Sequence, residues 1–157
     1  MIKIISFRKK YQESVNSLVA EIAKEFQNPI SKPFSNIRKK IVDKYWIAIK
    51  EDMVIGTIAI LKIENRNSIL KKMFVHKKYR GKEKGISNLL LETAFQWCQE
   101  EGISKVYLGT MVQFKGAHRF YEKNGFQEIR QSELPVGFVH NPIDDIFYRK
   151  NLSTWSK

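Results

Sequence analysis

A basic, glycine-bearing segment decides the fold: Tyr79-Arg80-Gly81-Lys82-Glu83-Lys84-Gly85-Ile86-Ser87. It follows Lys72-Met73-Phe74-Val75, a short apolar run with a β-branched end that is typical of a strand. After it, apolar residues recur with the spacing of one helix face, at Ile86, Leu89, Leu90, Ala94, Trp97 and Cys98. The segment is therefore predicted to join a strand to the start of a helix.

Such a junction can hold an anion. The first N–H groups of a helix lack intrahelical partners and carry partial positive charge, so an anion gains several donors there. Gly81 and Gly85 would let the backbone approach a phosphate, while Arg80, Lys82 and Lys84 would add positive charge. The alternative is a solvated basic loop with Gly85 in a tight turn, because short glycine motifs are weak evidence.

A second segment, Ala117-His118-Arg119-Phe120-Tyr121-Glu122-Lys123-Asn124-Gly125-Phe126, completes a recognisable order of motifs. Together the two segments resemble the GNAT superfamily of acetyl-CoA-dependent N-acetyltransferases. That family has a strand, Arg/Gln-x-x-Gly-x-Gly/Ala and a helix, then a strand, a short helix bearing Ala and Tyr, and a closing Gly-Phe. Here Lys82 to Ser87 takes the place of the phosphate motif, with Lys for Arg/Gln and Ser for the final small residue. Ala117, Tyr121 and Gly125-Phe126 stand at the expected mutual spacing.

The resemblance implies an α/β (α+β) fold in one GNAT-like domain over residues 1–157. We expect a central mixed, mostly antiparallel sheet of about six to seven strands, flanked by about four helices and splayed at the acyl-CoA site. It also implies acetyl-CoA as co-substrate, an amine acceptor and no metal. Direct attack by the amine within a ternary complex requires no covalent enzyme intermediate.

Specific site residues follow from the same resemblance. The backbone N–H of Phe74 or Val75 would contact the thioester carbonyl, and Tyr121 would protonate the departing thiolate. The remaining predicted CoA-binding residues are Arg80, Gly81, Lys82, Glu83, Lys84, Gly85, Ile86, Ser87, Phe120 and Lys123. Without the resemblance, Tyr121 would be interpreted as a packed aromatic residue beside Phe120 and Phe126.

Two positions depart from the family pattern. Phe114 stands where many relatives have asparagine, and Ile69 stands where many have a glutamate base. The base is therefore unassigned. Asp144 and Asp145 can serve as base, as ammonium ligands or as loop caps; Glu64 and deprotonation through ordered water are further alternatives.

Elsewhere the pattern alternates as an α/β domain should. Turn or breaker residues at Asn28-Pro29, Glu51-Asp52 and Gly102 separate the elements. Strands are predicted over 2–7, 45–49, 54–63, 69–75, 106–110, 127–131 and 146–149, and helices over 13–26, 35–43 and 86–100.

Composition supports one small enzyme domain with an excess of positive charge. The 157 residues are 43% hydrophobic, enough for a sizeable core. The 28 Lys and Arg against 16 Asp and Glu give +12, which can attract CoA phosphates, nucleic acid or an acidic acceptor and disfavours polycationic substrates. The basic clusters are scattered and no nucleic-acid module is recognisable, so nucleic-acid binding is the weaker interpretation.

The chain has no 18-residue apolar run and no charged-then-apolar leader, so we expect a cytoplasmic protein without a membrane segment. Its one cysteine, Cys98, cannot form an internal disulfide and falls on the apolar helix face, as a buried structural thiol would. His76, His118 and His140 show no metal-ligand spacing. An exposed late strand or the segment at Trp155 can support a homodimer.

Three functional hypotheses follow. The leading one is an N-acetyltransferase that acts on an amine of a small molecule or protein. The second is a regulatory domain that binds CoA without catalysis, motivated by Ile69 and Phe114. The third is a nucleic-acid-binding protein that uses the +12 charge.

Gly85→Asp should abolish saturable acetyl-CoA binding, because it adds bulk and negative charge at the predicted phosphate turn. Calorimetry on the unmodified protein and the variant checks this. An unmodified protein that fails to bind acetyl-CoA would contradict the transferase interpretation.

Overall fold

The computed structural model describes residues 1–27, 30, 42–81, 85–139 and 141–152. Seven strands form one sheet in the order β1-β2-β3-β4-β5-β7-β6. Every neighbouring pair is antiparallel except β4 and β5, which are parallel. The strands are β1 (Ile2–Ser6), β2 (Lys44–Lys50), β3 (Met53–Ile63), β4 (Asn67–Val75), β5 (Lys105–Thr110), β6 (Gln127–Ile129) and β7 (Ile146–Asn151).

Three α-helices lie within the described residues: α1 (Gln12–Ala23), α2 (Ile86–Glu100) and α3 (Lys115–Lys123). The predicted mixed, mostly antiparallel sheet with flanking helices is confirmed. The predicted helix over 35–43 lies outside the described residues, apart from Val42 and Asp43. None of the described helices is long and apolar enough to span a bilayer.

Several predicted boundaries were wrong by about one to three residues, among them the ends of α1 and β6. Helix α1 ends at Ala23 and the chain turns, with the Phe26 N–H donating to the Ala23 carbonyl at 3.2 Å. Strand β6 ends at Ile129 instead of residue 131, because Gln131–Glu133 forms a 3-10 turn. The Glu133 carboxylate accepts the Arg130 N–H at 2.8 Å, which satisfies a backbone donor at the start of that turn.

The helices cover opposite faces of the sheet. Helix α1 packs Val15, Leu18 and Ile22 against one face, together with Ile47 of β2. Helix α2 packs on the other face, where its buried residues Leu90, Leu91, Ala94 and Cys98 join Ile58, Ile60, Val106 and Leu108 of the sheet. Neighbouring residues such as Ile47 and Ala48 of β2 therefore enter two separate apolar clusters.

Gly56 of β3 sets how closely α2 approaches the sheet. A Cβ atom at Gly56 would lie 2.9 Å from Leu90 Cδ1 and 3.3 Å from the Phe74 carbonyl oxygen. No real side chain fits those distances without a shift of its neighbours, so the absence of a side chain lets the start of α2 pack directly on β3.

Strands β4 and β5 separate soon after they meet. Their parallel register covers three pairs, Asn67–Lys105, Ser68–Val106 and Ile69–Tyr107. Both strands continue past that point, to Val75 and Thr110, and both lie wholly within the described residues. The sheet therefore has a wedge-shaped opening between the carboxyl-terminal halves of β4 and β5, which we call the β4–β5 cleft.

Leu90→Ala should lower the free energy of unfolding by about 2–5 kcal/mol, because it leaves a cavity between α2 and β3. Leu90 is fully buried, whereas the adjacent Leu89 is 48% exposed. Leu89→Ala is the matched control and should change stability by about 0.5 kcal/mol or less. Urea unfolding of both variants checks this, and equal losses would contradict the assigned orientation of α2.

Candidate active site

The β4–β5 cleft receives a backbone donor from Val75. The His76 N–H donates to the Ile55 carbonyl at 2.8 Å, and Val75 pairs with Gly56 across β3. Because the backbone groups alternate along an antiparallel strand, the N–H and C=O of Val75 point away from β3, toward the cleft. The arrangement thus favours Val75 over Phe74 as the backbone donor to a bound carbonyl.

The start of α2 lies at the same end of β4. Gly85 is its N-cap residue, with a left-handed φ of 68°, and its N–H donates to the Gly81 carbonyl at 3.2 Å. A Cβ atom at Gly81 or Gly85 would meet no atom within 4 Å, so open space surrounds both residues. The first turn of α2 carries no acidic side chain that would compete with an anion for its N–H groups. This geometry fits a phosphate group.

Only part of the remaining predicted phosphate loop lies within the described residues. Lys82, Glu83 and Lys84 lie outside the described residues. The Ile86 side chain is buried in the core, so Ile86 can offer a ligand only its backbone, whereas Ser87 is partly exposed.

Arg80 is held by two protein groups. Its guanidinium makes a bidentate ion pair with Glu25 at 2.8 Å, and its Nε donates to the Val75 carbonyl at 2.8 Å. The pair joins the chain after α1 to the loop before α2. A phosphate at Arg80 would have to compete with Glu25, a partner that the sequence pattern did not identify because it is 55 residues away.

Tyr121 lies on α3, on the α2 side of the sheet. It is buried, with ring centroids 5.4 Å from Phe126, 5.7 Å from Phe120 and 5.9 Å from Tyr148. Burial raises the pKa of Tyr121 above its ordinary value, and the nearby charges of Asp144 and Tyr148 raise it further. The phenol is neutral at neutral pH, as an ordinary tyrosine is, and the rise in its pKa makes it a weaker acid, so the shift by itself does not identify a proton donor.

The carboxyl-terminal end of α3 is held in place. After it, Gly125 has a φ of 90°, and the Phe126 N–H donates to the Tyr121 carbonyl at 3.0 Å, which closes the helix end. Asn124 Nδ2 lies 3.5 Å from Asn88 Oδ1, in the first turn of α2. The helix that carries Tyr121 is thus joined to the predicted phosphate-binding helix. Of the other predicted α3 residues, Phe120 is partly buried and Lys123 is exposed.

The two departures from the family pattern both bring apolar groups to the α1 side of the sheet. Ile69 is buried at the last β4–β5 pair, opposite Tyr107. The Phe114 ring packs edge-on against Phe26, with ring centroids 4.7 Å apart. Neither position supplies a titratable group.

The three candidate acids occupy different places. Glu64 lies in the turn before β4, at the opposite end of that strand from Val75. The Asp145 carboxylate accepts the Val112 N–H at 2.9 Å, so it caps a loop. The Asp144 carboxylate lies against Gly109 of β5, where a Cβ atom would be 2.6 Å from its Oδ2. Of the three, Asp144 is the one whose carboxylate lies over a β5 residue beyond the last β4–β5 pair.

The described part of the chain holds no cluster of three or more His, Cys, Asp or Glu side chains suited to a metal ion. His76 Nδ1 accepts the Lys78 N–H, and the His118 ring contacts the Met111 carbonyl at 2.8 Å. His140 lies outside the described residues.

The sequence matches the family model described as "Acetyltransferase (GNAT) domain" over residues 42–128, more than half of the chain. The chain belongs to the GNAT acetyltransferase family. The predicted family is therefore confirmed, and the match covers the cleft, the start of α2 and Tyr121.

Relatives of this GNAT domain include both longer proteins and chains of similar length. N-acetylaspartate synthetase of Danio rerio is 30% identical over 109 residues, which are 67% of this chain and 38% of that protein. A GNAT-family acetyltransferase from Staphylococcus aureus Mu50 has a TM-score of 0.81 and 31% identity, with 98% of this chain and 100% of that chain covered. An N-acetyltransferase from Thermoplasma acidophilum, solved with coenzyme A, shares the fold at a TM-score of 0.71 and 18% identity, covering 96% of this chain and 99% of that chain.

Cys98 should react slowly with a thiol reagent in the folded protein. Cys98 is fully buried, and burial raises the pKa of its thiol to about 12. At pH 8 the thiolate fraction should therefore be on the order of 10³ lower than in the unfolded chain. Ellman's reagent, added with and without guanidinium chloride, measures the difference. Rapid native reaction would contradict a structural role.

Proposed function

We propose that the protein is an N-acetyltransferase that moves the acetyl group of acetyl-CoA directly to a primary amine of a small molecule or protein. One observation carries this proposal: the sheet opens between β4 and β5 at the end of β4 that leads to the start of α2, and the buried Tyr121 shares an apolar cluster with Val75 and Ile86. A ternary complex needs these features together. The thioester must be bound, its carbonyl must be polarised, and the departing thiolate must be protonated at the same place.

Acetyl-CoA would supply an activated thioester. In this proposal the backbone N–H groups of Ile86 and Ser87 bind its pyrophosphate beside Gly85, and the Val75 N–H polarises its carbonyl. The basic segment Arg80–Lys84, together with Phe120 and Lys123, provides further contacts to CoA. The surplus of positive charge, +12 over the chain, favours approach of the phosphates.

Tyr121 would donate its phenolic proton as the thiolate departs. One observation supports this role: the position of Tyr121 is held by the closed end of α3. The aromatic packing of Tyr121 agrees with the alternative that this residue is only structural, so a kinetic test is needed to separate the two.

The acceptor amine is to be identified by an activity screen. The relatives named N-acetylaspartate synthetase suggest L-aspartate as the first amine to test, and the positive charge of this chain agrees with an acidic acceptor. Because this chain spans about 38% of the length of that relative, its acceptor can differ.

We further propose one domain over residues 1–157, a cytoplasmic location and a capacity to form homodimers. A buried, unpaired thiol at Cys98 agrees with a reducing compartment. Sedimentation analysis tests the assembly state.

Tyr121→Phe should lower kcat on the order of 10²-fold, while acetyl-CoA binding stays within about 2-fold, because only the proton donor is removed. Steady-state kinetics and calorimetry check this. Tyr11→Phe is the matched control, since Tyr11 is also buried but packs in the α1 cluster. Equal losses in rate and in acetyl-CoA affinity for Tyr121→Phe would contradict the assigned acid role.

A further inference from the structure

We propose that Asp144 is the catalytic residue that binds the ammonium group of the acceptor and removes its proton. The inference rests on the proposed acetyl transfer and assigns the base that the sequence left open. It implies an acceptor that enters on the α1 side of the sheet with a primary ammonium group.

The position of Asp144 follows from its contact with Gly109. A Cβ atom on Gly109 would lie 2.6 Å from Asp144 Oδ2, 3.0 Å from Cγ and 3.1 Å from Cβ. The carboxyl group therefore occupies the space that a side chain at position 109 would fill. Because Gly109 lies two residues past Tyr107, the last β5 residue paired with β4, this space borders the cleft where the strands have separated.

Strand alternation also defines the side of the sheet on which Gly109 and the Asp144 carboxylate lie. Val106 and Leu108 belong to the α2 cluster, so Tyr107 and Gly109 face the α1 side by strand alternation. Tyr121 packs with the α2 cluster and lies on the opposite side. A carboxylate and a phenol thus flank the cleft from opposite faces, the arrangement needed when an amine enters on one side of a thioester and a proton donor acts on the other.

The loop that carries Asp144 is anchored at the same strand. The Asp145 N–H donates to the Thr110 carbonyl at 2.9 Å, and the Asp145 carboxylate accepts the Val112 N–H at 2.9 Å. The Asp144 N–H donates to the Asn141 carbonyl at 2.9 Å. These bonds hold the Asp144 backbone in place, and its side chain is partly exposed, so a ligand can reach it.

Electrostatics supports the same assignment. The negative charge of Asp144 is close enough to Tyr121 to add to the rise in the pKa of that phenol. The same charge would attract an ammonium group into the cleft, in a chain whose net charge of +12 otherwise repels cations. The Asp144 carboxylate would therefore offset the repulsion between the positively charged protein and an ammonium group.

The proton balance is complete without another reactant. R–NH3⁺ gives one proton to the Asp144 carboxylate, and the neutral nitrogen forms a bond to the thioester carbon. The C–S bond then breaks, the thiolate takes the Tyr121 proton, and the second surplus proton of the nitrogen restores the phenol. When Asp144 returns its proton to water, the net products are R–NH–acetyl, CoA–SH and H⁺.

The test measures initial rates of the full chain with acetyl-CoA and four primary amines: L-aspartate, L-lysine, spermidine and a peptide with an N-terminal alanine. For any amine that the unmodified protein acetylates, Asp144→Asn should lower kcat/KM for the amine on the order of 10²-fold. Acetyl-CoA affinity by calorimetry should stay unchanged. Asp145→Asn is the neighbouring control and should keep most of the activity, because its amide oxygen can still accept the Val112 N–H.

Gly109→Ala tests the contact itself. Its new methyl group would displace the Asp144 carboxylate and should lower kcat/KM for the amine about 10-fold or more. In the Asp144→Asn background the same change should have little further effect, because the carboxylate is already gone. Folding of each variant is followed by thermal unfolding.

The outcomes separate the two proposals. Full amine turnover by Asp144→Asn would overturn the role of Asp144 and leave the transferase proposal standing. Equal losses of kcat/KM in Asp144→Asn and Asp145→Asn would show a structural effect of the loop and would also overturn the role of Asp144. The same conclusion would follow if the losses of Asp144→Asn and Gly109→Ala were additive. An unmodified protein that binds acetyl-CoA but acetylates none of the amines would count against the proposed transfer itself, and with it against Asp144.

Discussion

The short parallel pairing between β4 and β5 is the constraint on which the rest of the site depends. After Ile69–Tyr107 the two strands separate, although each keeps its other edge paired. Strand β5 stays in register with β7 as far as Thr110, and β4 pairs with β3 as far as Val75. The separation therefore costs the hydrogen bonds of one edge of each strand, and these are the groups that a ligand in the cleft can satisfy.

The walls of the cleft are set by contacts far apart in sequence. Arg80 joins the Val75 carbonyl to Glu25 beyond α1, so the chain after α1 is linked to the loop before α2. On the opposite side, the bonds of Asp145 to Thr110 and Val112 hold the loop before β7 against β5. Each wall is thus fixed by charge-assisted or backbone hydrogen bonds, whereas the apolar clusters fix the sheet and helices behind them.

Local patterns were sufficient for most of the fold. The spacing of Leu90, Ala94 and Cys98 predicted most of the buried face of α2, and Gly102 predicted its end, but Leu89 was wrongly placed on that face and Leu91 was missed. The sequence failed at element ends, such as β6, where the Glu133–Arg130 contact favours a turn over a longer strand. The family resemblance identified Tyr121 and the Gly85 turn because both lie in short motifs with fixed spacing.

What the sequence by itself determined was the order of elements, the family and the two motifs that suggest acyl-CoA chemistry, because these depend on local periodicity and spacing. Only the tertiary structure decided which backbone N–H faces the cleft, that Arg80 is paired with Glu25, and that the Asp144 carboxylate lies over Gly109 of β5. Those facts depend on strand register and on contacts between residues dozens of positions apart, which no local pattern encodes.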